Sequence, residues 1–345
     1  HAHLVLFFFI LTSLMRSLEK RRFLFILISI TALLVALTAV LQATFSDVTR
    51  VYGTLGNPNF LGAWILLVIL VTFSFFLKER GILKIVLGTS VFFQLVALLL
   101  TFSRGAYLGL FGGALIFFAA TPRNFIPKKA RKIIYGSAIT LCGVLLLSLT
   151  LARLPATQEI FTQFPNVKRV LTVSLSDPTY QTRIESWRGG ILAIRDSPFF
   201  GFGPENFSAP FDLNYRGTFE HLAFQETWAD RAHNIFIDVG ATSGLIGLGA
   251  FAGIFVLILF NLFLLLKKSP RESIPMLSTA CAATYAAYLT QNSFNLDTPL
   301  SLIYLYALFA FANQLTQPEK NTSSQTFKNP KKLLAVGYWS LIIVG

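Results

Sequence analysis

Long apolar stretches separated by shorter polar connections make up most of this 345-residue chain. A helix that crosses a membrane needs about 20 mostly apolar residues, and several stretches are nearer ~16, so their ends must extend into the polar flanks. The pattern predicts an all-α fold, a polytopic transmembrane helical bundle of about ten spans, with the first and last spans truncated. The predicted apolar segments are residues 4–14, 23–41, 60–77, 85–100, 106–120, 133–151, 245–266, 274–289, 300–315 and 333–345.

The charged residues fall mainly in the connections and are divided unevenly between the two sides of the predicted bundle. The chain carries 29 Lys and Arg against 16 Asp and Glu, a net charge of +13. In a soluble protein this excess would indicate a nucleic-acid partner. If the segments alternate, however, 19 of the basic residues and only 4 of the acidic ones lie on one side. The positive-inside rule makes that side cytoplasmic, and no nucleic-acid partner is expected.

The segments divide the chain into five parts. The connection 153–232 is the longest, and we expect it to be external and to carry the chemistry, because such long connections are often functional. The short cytoplasmic connections contain no P-loop or dinucleotide-binding motif. The predicted parts are N-terminal transmembrane helices (1–152), a large external loop (153–232), C-terminal transmembrane helices (233–315), a cytoplasmic linker (316–332) and a truncated transmembrane helix (333–345).

A helix is predicted inside the external loop. Asp177-Pro178 is a helix-start signal, with an acidic N-cap followed by proline at the first helical position. Apolar residues then recur at helical spacing, which predicts an amphipathic helix lying in the membrane interface with its apolar stripe towards lipid. The residues of the stripe are Ile184, Trp187, Ile191 and Ile194.

Arginines flank this stripe, Arg183 on one side and Arg188 on the other. One interpretation is an anchoring helix whose guanidiniums reach lipid phosphates. The other is that one or two of these arginines grip a lipid-linked phosphate, because the planar guanidinium matches phosphate oxygens. Arg104, in the short external connection between two apolar segments, has the same two interpretations.

His233 is the strongest candidate for proton transfer, because it lies where a helix enters the membrane from outside and histidine is the residue type suited to act as a general base near neutral pH. A structural histidine is the alternative, and His221 has the weaker case. Asn234 follows directly. Asn57 and Asn59 lie in a Gly-Asn-Pro-Asn stretch that favours a turn, although their amides could also meet sugar hydroxyls. No cluster has metal-ligand spacing, so no metal and no cofactor is expected.

These residues together resemble the O-antigen ligase family of bacterial membrane proteins, whose shared region also occurs in O-antigen polymerases. Four pieces carry the resemblance, in the family's order and with the long external loop in the family's place. They are Gly56-Asn57-Pro58-Asn59, Ser103-Arg104-Gly105, the helix with Arg183-x-x-x-Trp187 and its Pro/Gly tail, and His233-Asn234-x9-Gly244-x-x-Gly247.

The resemblance implies a GT-C-like glycosyltransferase of the bacterial inner membrane, with its active site facing the periplasm. It implies an undecaprenyl-diphosphate-linked glycan as donor and lipid A–core as acceptor, with metal-independent transfer. Arg104 and Arg183 match the family's diphosphate-binding arginines, and His233 matches its essential histidine. From these residues we expect direct, inverting displacement with His233 as the catalytic base, and the candidate substrate-binding residues are Asn57, Asn59, Trp187, Arg188 and Asn234.

Other functions remain open at this point. Within the family, the acceptor could be another glycan, as in the polymerases, or a protein side chain, as in protein O-oligosaccharyltransferases. From a different class, the chain could be a transporter for a small anion such as bicarbonate. The transporter hypothesis is disfavoured because the predicted spans carry almost no buried ionisable groups. A purely structural membrane scaffold would not need the external arginines and histidine.

Overall fold

The structure, a computed structural model, describes residues 2–121, 178–215, 228–268 and 273–317 and a few isolated positions. All regular secondary structure in these ranges is helical, which confirms the all-α prediction. The predicted segments 133–151 and 333–345, His221 and most of the linker 316–332 lie outside them. The described helices are α1 (Ala2–Leu14), α2 (Leu18–Phe45), α3 (Pro58–Lys78), α4 (Gly81–Leu100), α5 (Arg104–Ala120), α6 (Pro178–Asp196), α7 (Ser208–Leu213), α8 (Ile235–Lys268), α9 (Ser273–Asn292) and α10 (Pro299–Thr316).

Five of the described helices are long and apolar enough to cross a membrane, namely α2, α3, α4, α8 and α10. Helices α1 and α5 are apolar but shorter, with 13 and 17 residues. The protein is therefore a polytopic helical membrane protein. The described chain divides into two compact units. The first unit comprises residues 1–24, 176–268 and 292–345, and the second comprises residues 25–175 and 269–291.

In the second unit, α3 is the buried central helix. Every residue from Leu61 to Thr72 is buried, and α4 and α5 pack against this helix. Small residues bring α5 close to α9, since a Cβ on Gly109 would lie 2.7 Å from the carbonyl oxygen of Ala287. Such close approach through glycine is typical of helix packing in membranes, where dispersion contacts replace the hydrophobic effect as the driving force.

In the first unit, α1 packs against α10 near the basic connection before α2. Arg21, which we had assigned to that connection, is instead in the first turn of α2 and is only 5% exposed. Its Nη1 donates to the Gln314 carbonyl at 2.9 Å, and the Gln314 side chain donates to the Thr12 carbonyl at 2.7 Å. These two bonds give buried polar groups the hydrogen-bond partners that they would otherwise lack, and they hold α1 and the first turn of α2 to α10.

The helix predicted within the connection 153–232 is α6, which runs from Pro178 to Asp196. The face that it buries in the protein consists of small residues, not of the apolar stripe. Ile184 and Ile191 are 44% and 56% exposed. Small side chains are buried instead because they allow α6 to approach α8 closely: a Cβ on Gly190 would lie 2.4 Å from the Ile237 side chain. The buried residues are Thr182, Ser186, Gly189, Gly190 and Ala193.

Helix α8 begins ten residues earlier than predicted and is broken at Gly244, which has φ 67° and ψ −173°. The polar and small residues before Gly244 obscured its first turns in the sequence. At the break, backbone groups of α8 have no partners within the helix, and the loop after α6 forms hydrogen bonds with them. The Phe202 and Gly203 amides donate to the Ala241 and Thr242 carbonyls at 3.0 and 2.8 Å, and the Leu245 amide donates to the Pro198 carbonyl at 2.7 Å.

Gly244 must therefore be glycine for two reasons. Its backbone angles lie in a region that only glycine adopts readily, and a Cβ there would lie 2.2 Å from the Phe199 carbonyl oxygen. Glycines in membrane helices commonly allow close approach between helices. At Gly244 the close approach is between a helix break and a loop.

We predict that Gly244→Ala lowers the free energy of unfolding by at least ~2 kcal/mol, because strain and a backbone clash add together. Thermal unfolding in detergent measures the effect. Gly249→Ala is the matched control on the same helix, since a Cβ there meets nothing within 4 Å. It should leave stability unchanged or slightly raised. Equal melting temperatures for Gly244→Ala and the wild type would contradict the role of the break.

Candidate functional site

His233 occupies a turn immediately before α8, in the first unit. Its side chain is half-buried, and its backbone has φ +51°. A non-glycine residue in this left-handed region costs roughly 1–2 kcal/mol, so the surrounding contacts must hold it. Asn234 supplies one of them as the N-cap of α8, because its side-chain oxygen accepts from the Phe236 and Ile237 amides at 3.0 and 3.2 Å. This capping use agrees with residue type and position.

A buried carboxylate supplies the other contacts. Asp238 is 7% exposed, and it reaches back from the first turn of α8 to accept the Ala232 amide at 2.9 Å. Its second oxygen accepts from Nη1 of Arg231 at 3.2 Å. Arg231 also pairs with Glu205 in the loop after α6. Burial alone would lower the pKa of Arg231, but the two carboxylates raise it above its ordinary value, so the guanidinium stays charged.

Helix α6 carries the other predicted residues of this unit. Arg183 lies in the first half of α6 and is half-buried. Trp187 packs against Phe294 with ring centroids 6.3 Å apart. Within the described residues, the buried indole N–H of Trp187 has no hydrogen-bond acceptor. Arg183 is a cation of the kind that suits a phosphate, and the tilted aromatic pair is an apolar surface of the kind that suits a sugar ring.

The Arg188 guanidinium forms hydrogen bonds with other groups of the protein. Its Nε donates to Glu185 at 2.9 Å, and its Nη2 donates to the Asn214 carbonyl, also at 2.9 Å. The second bond fastens the end of α7 to α6. Arg188 was predicted as a substrate-binding residue. These contacts bind its guanidinium to the protein, and the substrate-binding role stays a prediction.

In the second unit, Arg104 is the first residue of α5, directly after a tight turn. Phe102 in that turn has φ +47°, again a strained backbone that neighbours must hold. Arg50 provides the support, because its Nε donates to the Thr101 carbonyl at 2.7 Å and its Nη2 donates to Asn59 Oδ1 at 3.0 Å. One guanidinium thus fastens the turn before Arg104 to the start of α3.

The two asparagines of the Gly-Asn-Pro-Asn stretch also form hydrogen bonds that hold the start of α3. Asn57 caps α3, with its side-chain oxygen accepting the Asn59 amide at 2.8 Å. The Asn59 carbonyl accepts from the Gln291 side chain at 3.4 Å. These contacts give both residues the turn-forming role that the sequence favours, and their side-chain oxygens have protein partners.

The structure thus groups the predicted residues by unit. The first unit contains Arg183, Trp187, Arg188, His233 and Asn234, and the backbone bonds at the α8 break hold α6 next to α8. The second unit contains Arg104, Asn57 and Asn59.

The sequence pattern did not predict Arg50, Arg231, Glu205 or Asp238 as supporting residues. A carboxylate in the first turn after His233 was the one available signal. Among the described residues, no group of three or more His, Cys, Asp or Glu could hold a metal ion.

A protein-family model described as O-antigen ligase matches residues 89–252. The matched range contains Arg104, the whole of α6, His233 and the break at Gly244, whereas Asn57 and Asn59 precede it. No curated protein matches the chain. The resemblance to the O-antigen ligase family is confirmed over this range.

We predict that Arg50→Met destabilises the second unit by about 2–3 kcal/mol, because hydrogen bonds from a charged donor contribute roughly 1.5–3 kcal/mol each and the Thr101 carbonyl is left without this donor. Thermal unfolding of the purified protein in detergent measures the loss. Arg80→Met is the control, since Arg80 is exposed and makes no side-chain cap bond. It should change stability by less than about 0.5 kcal/mol. Equal effects of the two variants would show that the Arg50 contacts do not support the turn.

Proposed function

Because a family model described as O-antigen ligase matches residues 89–252, we propose that this integral membrane protein transfers a glycan from undecaprenyl diphosphate to an acceptor hydroxyl. The proposed location is the bacterial inner membrane, with the reaction on the periplasmic side. The proposed acceptor is a sugar hydroxyl of lipid A–core. The observation that carries the proposal is the His233 turn, because a half-buried imidazole is held there by a strained backbone at the start of a membrane helix.

The proposed reaction is a direct displacement. The acceptor oxygen attacks the anomeric carbon of the donor glycan, and the bond from that carbon to the diphosphate oxygen breaks. The bonding electrons leave with the undecaprenyl diphosphate, and the acceptor proton passes to a ring nitrogen of His233. In-line attack inverts the anomeric centre. A positioned base of this kind typically contributes about 10²–10⁴-fold to the rate.

Arg183 is proposed to stabilise the departing diphosphate. Negative charge on the diphosphate grows as the glycosidic bond breaks, so a fixed guanidinium favours the transition state over the ground state. Its placement on α6, which backbone bonds hold against α8, supports this role because a preorganised cation need not be reoriented during reaction. For Arg104 the proposed diphosphate contact rests on the family resemblance. Metal independence is also part of the proposal.

Trp187 is proposed to contact the glycan. Its pairing with Phe294 gives an aromatic surface in the same unit as Arg183 and His233, and aromatic rings pack well against the apolar faces of sugars. Ligase and polymerase activities differ only in the acceptor, so lipid A–core and a second lipid-linked glycan are alternative substrates in the same assay.

We predict that His233→Ala lowers the turnover of lipid-linked donor by about 10²–10⁴-fold, and that Arg183→Ala lowers it by about 10²–10³-fold. Both losses follow from removing groups that act in the transition state. The assay is glycan transfer to lipid A–core by purified protein with EDTA present. Wild-type transfer should survive EDTA.

Arg195→Ala is the matched control, because Arg195 is an exposed arginine at the other end of the same helix. It should retain near-wild-type turnover. Unchanged turnover in both His233→Ala and Arg183→Ala would refute the site assignment. Transfer that occurs only to a second lipid-linked glycan would replace the ligase by a polymerase.

A further inference from the structure

His233 itself does not make the contacts described for its strained turn; residues on either side of it do. The Ala232 amide and the Arg231 guanidinium, on its N-terminal side, both bind the Asp238 carboxylate. On its C-terminal side, Asn234 caps α8. The backbone therefore passes through the left-handed conformation at His233 between two fastened segments.

Asp238 is the centre of this arrangement. Its side chain extends from α8 to the two residues before His233. One carboxylate oxygen accepts from the Ala232 amide, and the other accepts from the Arg231 guanidinium. Because the residue is 7% exposed and both oxygens have protein partners, its carboxylate is poorly placed to meet a substrate. Its contribution to a reaction must pass through the turn that it holds.

Arg231 extends the arrangement to the loop after α6. Its second terminal nitrogen pairs with Glu205, which itself has φ +62°. The same loop is held to the α8 break by backbone bonds. The His233 turn is thus fastened both to its own helix and to the segment that ends α6.

From these contacts we infer that Asp238, acting with Arg231, is a positioning residue for His233: it fixes the backbone torsion at His233 and so the direction in which the imidazole leaves the chain. The inference rests on the proposed role of His233 as proton acceptor. A base must lie within about 3 Å of the proton that it accepts, and a displacement of ~1 Å at a reacting group can cost on the order of 10²-fold in rate.

The alternative is that Asp238 only stabilises the start of α8. The two roles differ in what a substitution changes. Loss of stability reduces the amount of folded protein but leaves the kinetics of each folded molecule unchanged. Loss of positioning lowers kcat in molecules that still bind substrate, so KM stays near its original value.

The substitution that separates them is Asp238→Asn. The amide keeps one oxygen for the Ala232 N–H but cannot form an ion pair with Arg231, which retains Glu205 as a partner. We expect kcat per folded molecule to fall by up to about 100-fold, because a displacement of ~1 Å at a reacting group costs on the order of 10²-fold, with KM within about twofold. Asp212→Asn is the control, because Asp212 is an exposed carboxylate of α7 in the same unit. It should leave both constants unchanged.

A double-mutant cycle gives the second measurement. If Asp238 acts through His233, Asp238→Asn costs little further activity once His233 is alanine, whether or not free imidazole is added to restore turnover. The same fold-loss in both backgrounds, or a wild-type kcat for Asp238→Asn, would overturn the inference. Wild-type turnover of His233→Ala alone would instead overturn the proposed function, so the two failures are distinguishable.

Discussion

The break in α8 is the constraint on which the arrangement of the first unit depends. A helix that stops its own hydrogen bonding near a membrane leaves backbone carbonyls and amides that need partners, because lipid offers none. The loop after α6 supplies them on both sides of Gly244. The donor and acceptor requirements of the break therefore select one position for that loop. Through it they place α6, with Arg183 and Trp187, against the helix that begins beside His233. Gly201 and Gly244 make the contact possible, since neither has space for a Cβ.

Several arginines of the described residues hold the fold together, a role that composition does not reveal. Arg21, Arg50, Arg188 and Arg231 each donate to carbonyl oxygens or carboxylates of the protein, and each fastens segments that are distant in sequence. Their five-donor guanidinium suits this work, because one side chain can satisfy several acceptors at once. An arginine near a helix end is thus readily a structural clamp. Within α6, the contacts of Arg188 are those of such a clamp.

The sequence predicted what depends on local pattern and missed what depends on distant pairing. Helices α3, α4, α5 and α10 begin and end within a few residues of the predicted limits, because apolar runs and caps such as Asn57-Pro58 are local signals. The helix at Pro178 was found for the same reason. The face that α6 buries was not, since small residues such as Gly190 show their value only against a partner such as Ile237. Arg50 and Asp238 escaped notice because their significance lies in the turns that they hold. Neither turn has a signature in sequence spacing.

The bond between Arg21 and the Gln314 carbonyl joins groups 293 residues apart, and this separation has a consequence for biosynthesis. Translation at about 5–20 residues per second puts on the order of 15–60 seconds between the two groups. During that interval α1 and the start of α2 are already made, while the helix that covers them does not yet exist. The Arg21 guanidinium must remain in contact with water or lipid headgroups until α10 is made. Packing of the first unit is therefore a late event, which can be completed only once α10 has been made.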